Sequence, residues 1–417
     1  MAAPERIVMS DKKLLCVNEA LARILENAHP LGEPETLPLA QARGRTLARD
    51  LVSRRTQPPV DVSAMDGYAV NSADLANRGM RLRLVGESAA GHGFDSAMKQ
   101  GECVRIFTGA PVPPGADSIL LQEDAIVENG LIGASASHQA GRHIRTRGLD
   151  FAEGAPALFA GTRLGAAQLA LAAATNHAQL CVARRPRVAI VATGDELVAP
   201  GREAGPAQII SCNNLAVAAI VEGAGGEAID LGIFRDNLAD LQRAFALARE
   251  ARADVLVTLG GASVGDHDLL RPALAKEGMT LDFWRIAMRP GKPLIFGRLG
   301  EAFVLGLPGN PVASYVCALV FLEPLLRALQ GDPNAGEDKS EGAFLGADLP
   351  VNKARRDFMR ATLSKDAEGR LIATPEPLQD SSLLTELVRS HALLLREIGA
   401  PPAKAGDPCR IIKLRND

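Results

Sequence analysis

Asp254-Val-Leu-Val-Thr-Leu-Gly-Gly-Ala-Ser-Val-Gly-Asp-His-Asp268 is the stretch on which the fold turns. Its first part, Val255 to Leu259, is a short, unbroken apolar run rich in β-branched residues. A strand buried on both faces, as in a parallel sheet covered by helices, reads this way. The composition then changes at once to Gly260, Gly261, Ser263 and Gly265, with Asp266 and Asp268 beyond. Glycines let a backbone approach a ligand closely, and successive free N–H groups can cradle an anion. Carboxylates just past such a loop can hold a divalent cation. Open α/β sheets bind ligands at the carboxyl ends of their strands, so the stretch marks a candidate active-site edge.

Outward from it, strands and helices alternate from Val188 to about Gln330. The expected strands are Val188–Ala192, Glu227–Ile233, Val255–Leu259, Leu281–Ile286, Leu294–Phe296 and Phe303–Leu305. The expected helices are Asn214–Gly223, Asp236–Arg252, Pro272–Glu277 and Pro311–Leu329. Such alternation implies a doubly wound, mostly parallel sheet. Arg184-Arg185-Pro186-Arg187, just before it, reads as a solvated connector.

The flanks differ. Ser10-Asp11 opens a helical pattern through Leu14, Val17, Leu21, Ile24 and Leu25, which His29-Pro30 ends, and a second helix is expected through Leu51. From Arg81 to about Gly141, short apolar runs alternate with turn residues, and Asn129-Gly130 is a hairpin signal because both positions favour positive φ. Ala166 to Thr175 returns to helix, and Phe344 to Asp417 reads as short strands. The expected organisation is a discontinuous N-terminal helical or linking domain (1–57 and 142–185) and an inserted β domain (58–141). An α/β domain (186–332) and a C-terminal β domain (333–417) follow.

The chain of 417 residues is 47% hydrophobic and 23% charged, with a net charge of −3, which is ordinary for a globular protein. That balance offers nothing to nucleic acid or to an anionic membrane surface, so any anion site must be local. The six cysteines are scattered with no C-x-x-C pair, which argues against a disulfide framework or a thiolate zinc site and suits a reducing, cytoplasmic setting. No signal core or membrane-spanning apolar run is evident.

Within the α/β segment, polar loops follow nearly every strand: Thr193 to Glu196, Arg235-Asp236, Gly260 to Asp268, Arg289 to Pro293 and Leu307 to Pro311. In a parallel sheet they meet at one edge, combining the acids Glu196, Asp236 and Asp268 with the cations Arg285, Arg289 and Lys292. That mixture suits a phosphorylated substrate, with Mg²⁺ on the acids and an oxyanion on cations and amides. Singly, each signal has a bland reading; Asp236, just before a helix, is the obvious helix cap. Gly261-Ala-Ser-Val-Gly265 also satisfies the G-x-S-x-G nucleophile elbow. That motif needs a helix directly after the serine and a downstream catalytic histidine. The only later histidines are His267, too near, and His391, in the tail. Trp284 beside Phe283 reads as core.

Seven motifs together resemble the molybdopterin molybdenumtransferase family, which includes the E domain of gephyrin. They are Asp61-Val-Ser-Ala-Met-Asp-Gly-Tyr-Ala69, Arg105-Ile-Phe-Thr-Gly-Ala-Pro-Val-Pro113, Gly141-Arg-His-Ile-Arg-Thr-Arg-Gly-Leu-Asp150, Ala192-Thr-Gly-Asp-Glu-Leu197, Gly260-Gly-Ala-Ser-Val-Gly265, Arg289-Pro-Gly-Lys-Pro293 and Gly306-Leu-Pro-Gly-Asn-Pro311. The resemblance spans nearly the whole chain. It implies a Mg²⁺-dependent transfer of molybdate onto adenylylated molybdopterin, giving molybdenum cofactor and AMP. It also implies an elongated four-domain homodimer whose site is shared between subunits.

Carried over, the functional acids are Asp66, Asp150, Glu196, Asp236 and Asp268, with Asp236 and Asp268 as metal ligands. Substrate contacts are Thr193, Gly260, Gly261, Ser263, Gly265, Arg285, Arg289, Lys292, Pro308, Asn310 and Pro311. Arginine stands at 285 and 289 where family members often carry lysine, exchanging a point charge for a planar fork. The serine motif near the C-terminus is altered, reading Gln379-Asp-Ser-Ser-Leu-Leu-Thr-Glu386, which leaves the tail's part in the site open. The resemblance further implies transient contact with the adenylyltransferase that makes the substrate and with recipient molybdoenzymes. Three alternatives remain at this level: that adenylyltransferase itself, a tungstate-inserting paralogue, and a gephyrin-like scaffold.

Overall fold

The computed structural model describes residues 14–76, 79–135, 138–261 and 269–414. The Val255–Leu259 strand is completely buried and lies inside a six-stranded sheet. From edge to edge the order is Glu227–Phe234, Arg187–Thr193, Val255–Leu259, Ala302–Leu307, Pro293–Leu299, Thr280–Arg285. The first four strands are mutually parallel. Pro293–Leu299 is antiparallel to both of its neighbours, so Thr280–Arg285 runs with the parallel set again. The strand ends that carry the expected polar loops therefore lie on one side, with only Gly260 and Gly261 of the Gly260–Asp268 loop among the described residues. Helices cover both faces, and the apolar residues divide into one core for each face.

The helix from Pro311 is one continuous rod made of α-helix (Pro311–Cys317), a π-helical turn (Ala318–Leu322) and α-helix again (Glu323–Ala328). It is long and apolar enough to cross a membrane. Its Val316, Phe321, Leu322 and Leu325 are instead buried in the larger core. The expected helix from Asp236 begins only at Leu238, because Asn237 takes the cap and its side chain accepts from the Asp240 amide. Asp236 is thereby freed from the capping role its position suggested.

The C-terminal residues close a small barrel. Arg356–Lys365, Leu371–Pro375, Glu341–Leu345, Pro408–Lys413 and Ala392–Arg396 pair in that order, and the last pairs back to the first. Met288–Arg289, from the α/β domain, joins this sheet beside Arg356–Asp357. The inserted β region is a six-stranded sheet in which Glu128↔Leu131 flank Asn129 and Gly130, both at positive φ. That is the hairpin the dipeptide announces.

Two expectations fail. No helix runs to Leu51: a short 3₁₀ turn (Leu39–Gln41) gives way to turns around Gly44, at φ +73°, and a strand at Leu51–Val52. Leu47 and Leu51 belong to a local core with Leu164, Leu180 and Val182, brought from far along the chain. Burial there outweighs local helical spacing. Nor is Arg184 a solvated connector. Its guanidinium donates to both carboxylate oxygens of Asp254 at 3.0 and 2.8 Å, and the Arg187 amide donates to Asp254 at 2.7 Å. This ties the incoming chain to the entrance of the Val255 strand. The expected helix start at Ser10-Asp11 lies outside the described residues, and the described helix spans Val17–Glu26.

Candidate active site

A cavity of about 860 Å³ opens at the carboxyl edge of the sheet. Thr193, Glu196, Asp236, Gly260, Gly261, Arg289, Lys292, Pro308, Asn310 and Pro311, all expected from sequence, line it. At Gly260, φ is +98° and an added Cβ would sit 2.5 Å from the Thr193 carbonyl oxygen. Both its dihedral and its packing therefore demand glycine. On the other side of its strand, the Gly260 amide donates to the Leu307 carbonyl at 3.2 Å, so Gly260 lies between the ends of both neighbouring strands.

The acid side of the cavity is formed by Glu196 and Asp236, with Asp195 behind them; the Asp236 amide donates to Asp195 at 3.4 Å. Desolvation first, then the like charges of Glu196 and Asp195, raise the pKa of Asp236 above the usual aspartate value. A carboxylate crowded by its own sign is what a divalent cation relieves. Among the described residues, no group of three or more His, Cys, Asp or Glu converges as a ready-made metal centre. The second expected ligand, Asp268, lies outside the described residues, as do Ser263 and Gly265.

The cationic side is less simple than a row of free charges. Arg289 is ion-paired with Asp357 of the barrel, a residue only 3% exposed. Lys292 lines the same wall, and its backbone carbonyl holds the Ile286 amide at 3.0 Å. Arg285 does not line the cavity; its guanidinium lies over the Trp284 ring, 3.9 Å from the ring centre, and that of Arg271 lies over the same ring at 3.8 Å. Trp284, expected to be plain core, is half-buried and takes both cations on its π-system.

Asp66 and Asp150 are not brought to the cavity either. Asp66 accepts from the Thr108 amide and hydroxyl at 2.7 and 2.8 Å, in the inserted β region. Those two bonds, the amide's first, hold its pKa below the usual value and keep it a carboxylate. The Asp150 amide donates to Gln57 at 3.0 Å in the connecting segment.

Sequence reasoning missed one wall. Arg355 and Gln379 to Ser382, from the barrel, face the α/β loops across the cavity. Ser381 accepts from the Asn310 side chain at 2.8 Å, and its carbonyl accepts from the Val312 amide at 3.0 Å. The tail, whose part in the site the altered serine motif leaves open, therefore lines the cavity. Asn213, also missed, donates to the Gly309 carbonyl at 2.6 Å and steadies the Gly309-Asn310 loop from the other side.

By fold and site, this is a multidomain protein built round an α/β domain whose loops bring both acids and cations to one cavity. Three family models match it in succession: the MoeA N-terminal region (domains I and II) over residues 15–175, the probable molybdopterin binding domain over 189–328, and the MoeA C-terminal region (domain IV) over 343–414. The molybdopterin molybdenumtransferase of Haemophilus influenzae is 34% identical over 95% of this chain and 98% of that protein. The Bacillus subtilis enzyme of the same name is 32% identical over 96% and 94%. A molybdopterin biosynthesis MoeA structure from Pyrococcus horikoshii superposes with a TM-score of 0.82 at 25% identity, covering 96% of this chain and 99% of that one. The chain belongs to the molybdopterin molybdenumtransferase, or MoeA, family. The matches to both flanking regions set aside the adenylyltransferase alternative, which accounted for the α/β domain alone.

Proposed function

We propose that the chain transfers molybdate onto adenylylated molybdopterin, forming molybdenum cofactor and releasing AMP, with Mg²⁺ as the required ion. The observation that carries this is the meeting of the Thr193–Glu196, Asp236, Gly260–Gly261, Arg289–Lys292 and Pro308–Pro311 loops in one cavity, in a chain whose relatives bear that enzyme's name. Asp236, with Asp268, would hold the ion, whose charge would offset what develops on the phosphoanhydride as it breaks. Lys292 supplies a compact positive charge for a tetrahedral oxyanion. Arg289, half-committed to Asp357, supplies direction more than net charge. The Gly260 backbone leaves room for the ligand to lie against the strand end. These groups act by proximity and electrostatics, with no covalent step on the protein.

In this reading the active form is a homodimer, and Asp66 and Asp150 reach the cavity from the partner subunit. Exposed apolar side chains support it on both surfaces concerned. Val60, Met65 and Leu149 flank the two acids in sequence, while Ile209, Ile210, Leu215 and Leu378 stand in and next to the lining segments of the cavity. Surfaces of that kind are normally covered. A cytoplasmic setting and transient contacts with the adenylyltransferase and recipient molybdoenzymes belong to the same proposal.

The direct test is incubation of the protein with adenylylated molybdopterin, molybdate and Mg²⁺. AMP release that requires both molybdate and Mg²⁺ is expected. No AMP, while the Haemophilus influenzae relative releases it under the same conditions, would overturn the proposal.

A further inference from the structure

A second hollow, of about 540 Å³, lies at the amino edge of the six-stranded sheet and shares no lining residue with the cavity described above. It opens between the end of the Leu238–Glu250 helix, the start of the Val255–Leu259 strand and the turn joining Pro293–Leu299 to Ala302–Leu307. Phe245, Ala248 and Leu256, all buried, form its floor, and Leu299 and Ala302 form one wall. That size and that floor suit a small molecule, because ligand pockets run from about 300 to 1,000 Å³ and fix an apolar body with a few polar groups.

The charges at its mouth are unequally committed. Arg249 is ion-paired with Glu277, which also accepts from Gln242 at 3.3 Å. Glu301 is fully exposed and reaches Arg298 at 3.9 Å. Arg252 is left over: among the described residues, no carboxylate, carbonyl or ring takes its guanidinium. Its backbone is unusual as well. Ala251 caps the helix and Arg252 follows at φ +48°. There the Arg252 amide donates to the Arg249 carbonyl at 2.8 Å, and the Ala253 amide to the Ala248 carbonyl at 3.1 Å. This paired closure of a helix end puts its left-handed residue where glycine is the usual choice, because a Cβ is strained there. Arginine is kept at a glycine position, and its spare charge stands over an apolar floor. Residues held against such local preference gather at ligand sites.

We propose that this hollow is a binding site for a small amphipathic carboxylate, its apolar body on Phe245, Leu256 and Leu299 and its head on the Arg252 guanidinium. The planar fork of arginine matches a carboxylate, which it can hold through two parallel bonds. A purely apolar ligand would leave that charge unused, and a cation would meet its own sign. The site lies at the edge of the sheet opposite the cavity. It neither rests on the proposed reaction nor competes with its substrate.

The test titrates phenylbutyrate into the full chain, followed by calorimetry. One-to-one binding with a Kd on the order of 1 mM or tighter is expected for a ligand of that size. Uncharged phenylbutyramide should bind about tenfold more weakly, having lost the charge-assisted bonds. Arg252→Gly removes the guanidinium and supplies the residue that the left-handed backbone prefers, so the variant should melt close to wild type. Its affinity for phenylbutyrate should nevertheless fall about tenfold. Saturating phenylbutyrate should leave AMP release unchanged. No saturable binding, equal affinity in Arg252→Gly, equal affinity for the amide, or inhibition that competes with adenylylated molybdopterin would each overturn the proposal. A wild-type protein that releases no AMP would sink the proposed reaction alone, and the titrations would still decide this site.

Discussion

At the scale of single residues, Asp236 combines two opposed demands. Desolvation at the cavity edge, and then the like charges of Glu196 and Asp195, raise its pKa although its side chain is exposed, and a carboxylate whose folded pKa lies above its unfolded one weakens the folded state wherever it is ionised. Stability from this site is therefore greater below that raised pKa and is lost as pH rises through it. Asp236→Asn removes the repulsion. The metal-free variant is expected to melt higher than wild type at neutral pH, with the difference vanishing in acid, while AMP release falls on the order of 100-fold. A variant that melts lower at neutral pH would show that Asp236 is held by attractive contacts and is no crowded acid. Gly260 and Asp236 illustrate how differently residues declare themselves. The glycine's role follows from a local dihedral and one carbonyl. The aspartate's follows from Asn237 having taken the cap.

At the scale of elements, the Val255–Leu259 strand is anchored at its start as well as used at its end. Asp254 gathers Arg184, at the start of the incoming linker, and the Arg187 amide at the start of the neighbouring strand. Three charge-assisted bonds on a side chain mostly shielded from water favour a real contribution to stability, not a surface ion pair. Asp254→Ala should cost about 2–3 kcal/mol, measured by denaturant unfolding, with KM unchanged because the tie lies at the strand end away from the cavity. A loss below about 0.5 kcal/mol would class it with exposed pairs. The failed expectation of a helix through Leu51 belongs to this scale too. Leu47 and Leu51 repeat at helical spacing, but their partners Leu164, Leu180 and Val182 come from more than a hundred residues away, and local periodicity carries no sign of them.

For the whole molecule, the placement of Asp66 and Asp150 away from the cavity leads to a prediction that needs two protomers. Mixing Asp66→Ala protomers with Asp236→Ala protomers should restore about a quarter of wild-type activity if a statistical half of the dimers are mixed and each has one intact site of two. Each variant alone should be inactive. Mixed dimers without activity would count against a shared site. The barrel matters at the same scale. Its Arg356–Asp357 segment pairs with Met288–Arg289, its Asp357 holds Arg289, and its Ser381 holds Asn310. A domain that reads in sequence as an appended set of short strands is thus bonded into two of the five loops.

The sequence by itself determined the alternating α/β core, the Asn129-Gly130 hairpin and the loops of the cavity. Each depends on short-range properties: β-branched runs, glycine at positive φ, proline at a helix start. Only the tertiary structure decided which of the named residues share a space. It joined Thr193, Glu196, Asp236, Gly260, Lys292 and Asn310. It turned Arg285 onto Trp284, left Asp66 on Thr108 and brought in the overlooked Gln379–Ser382 wall. The reason is physical. A backbone dihedral is chosen by a residue and its neighbours, whereas a guanidinium or carboxylate goes to whichever partner the packed chain offers it, and that partner can lie at any distance in sequence.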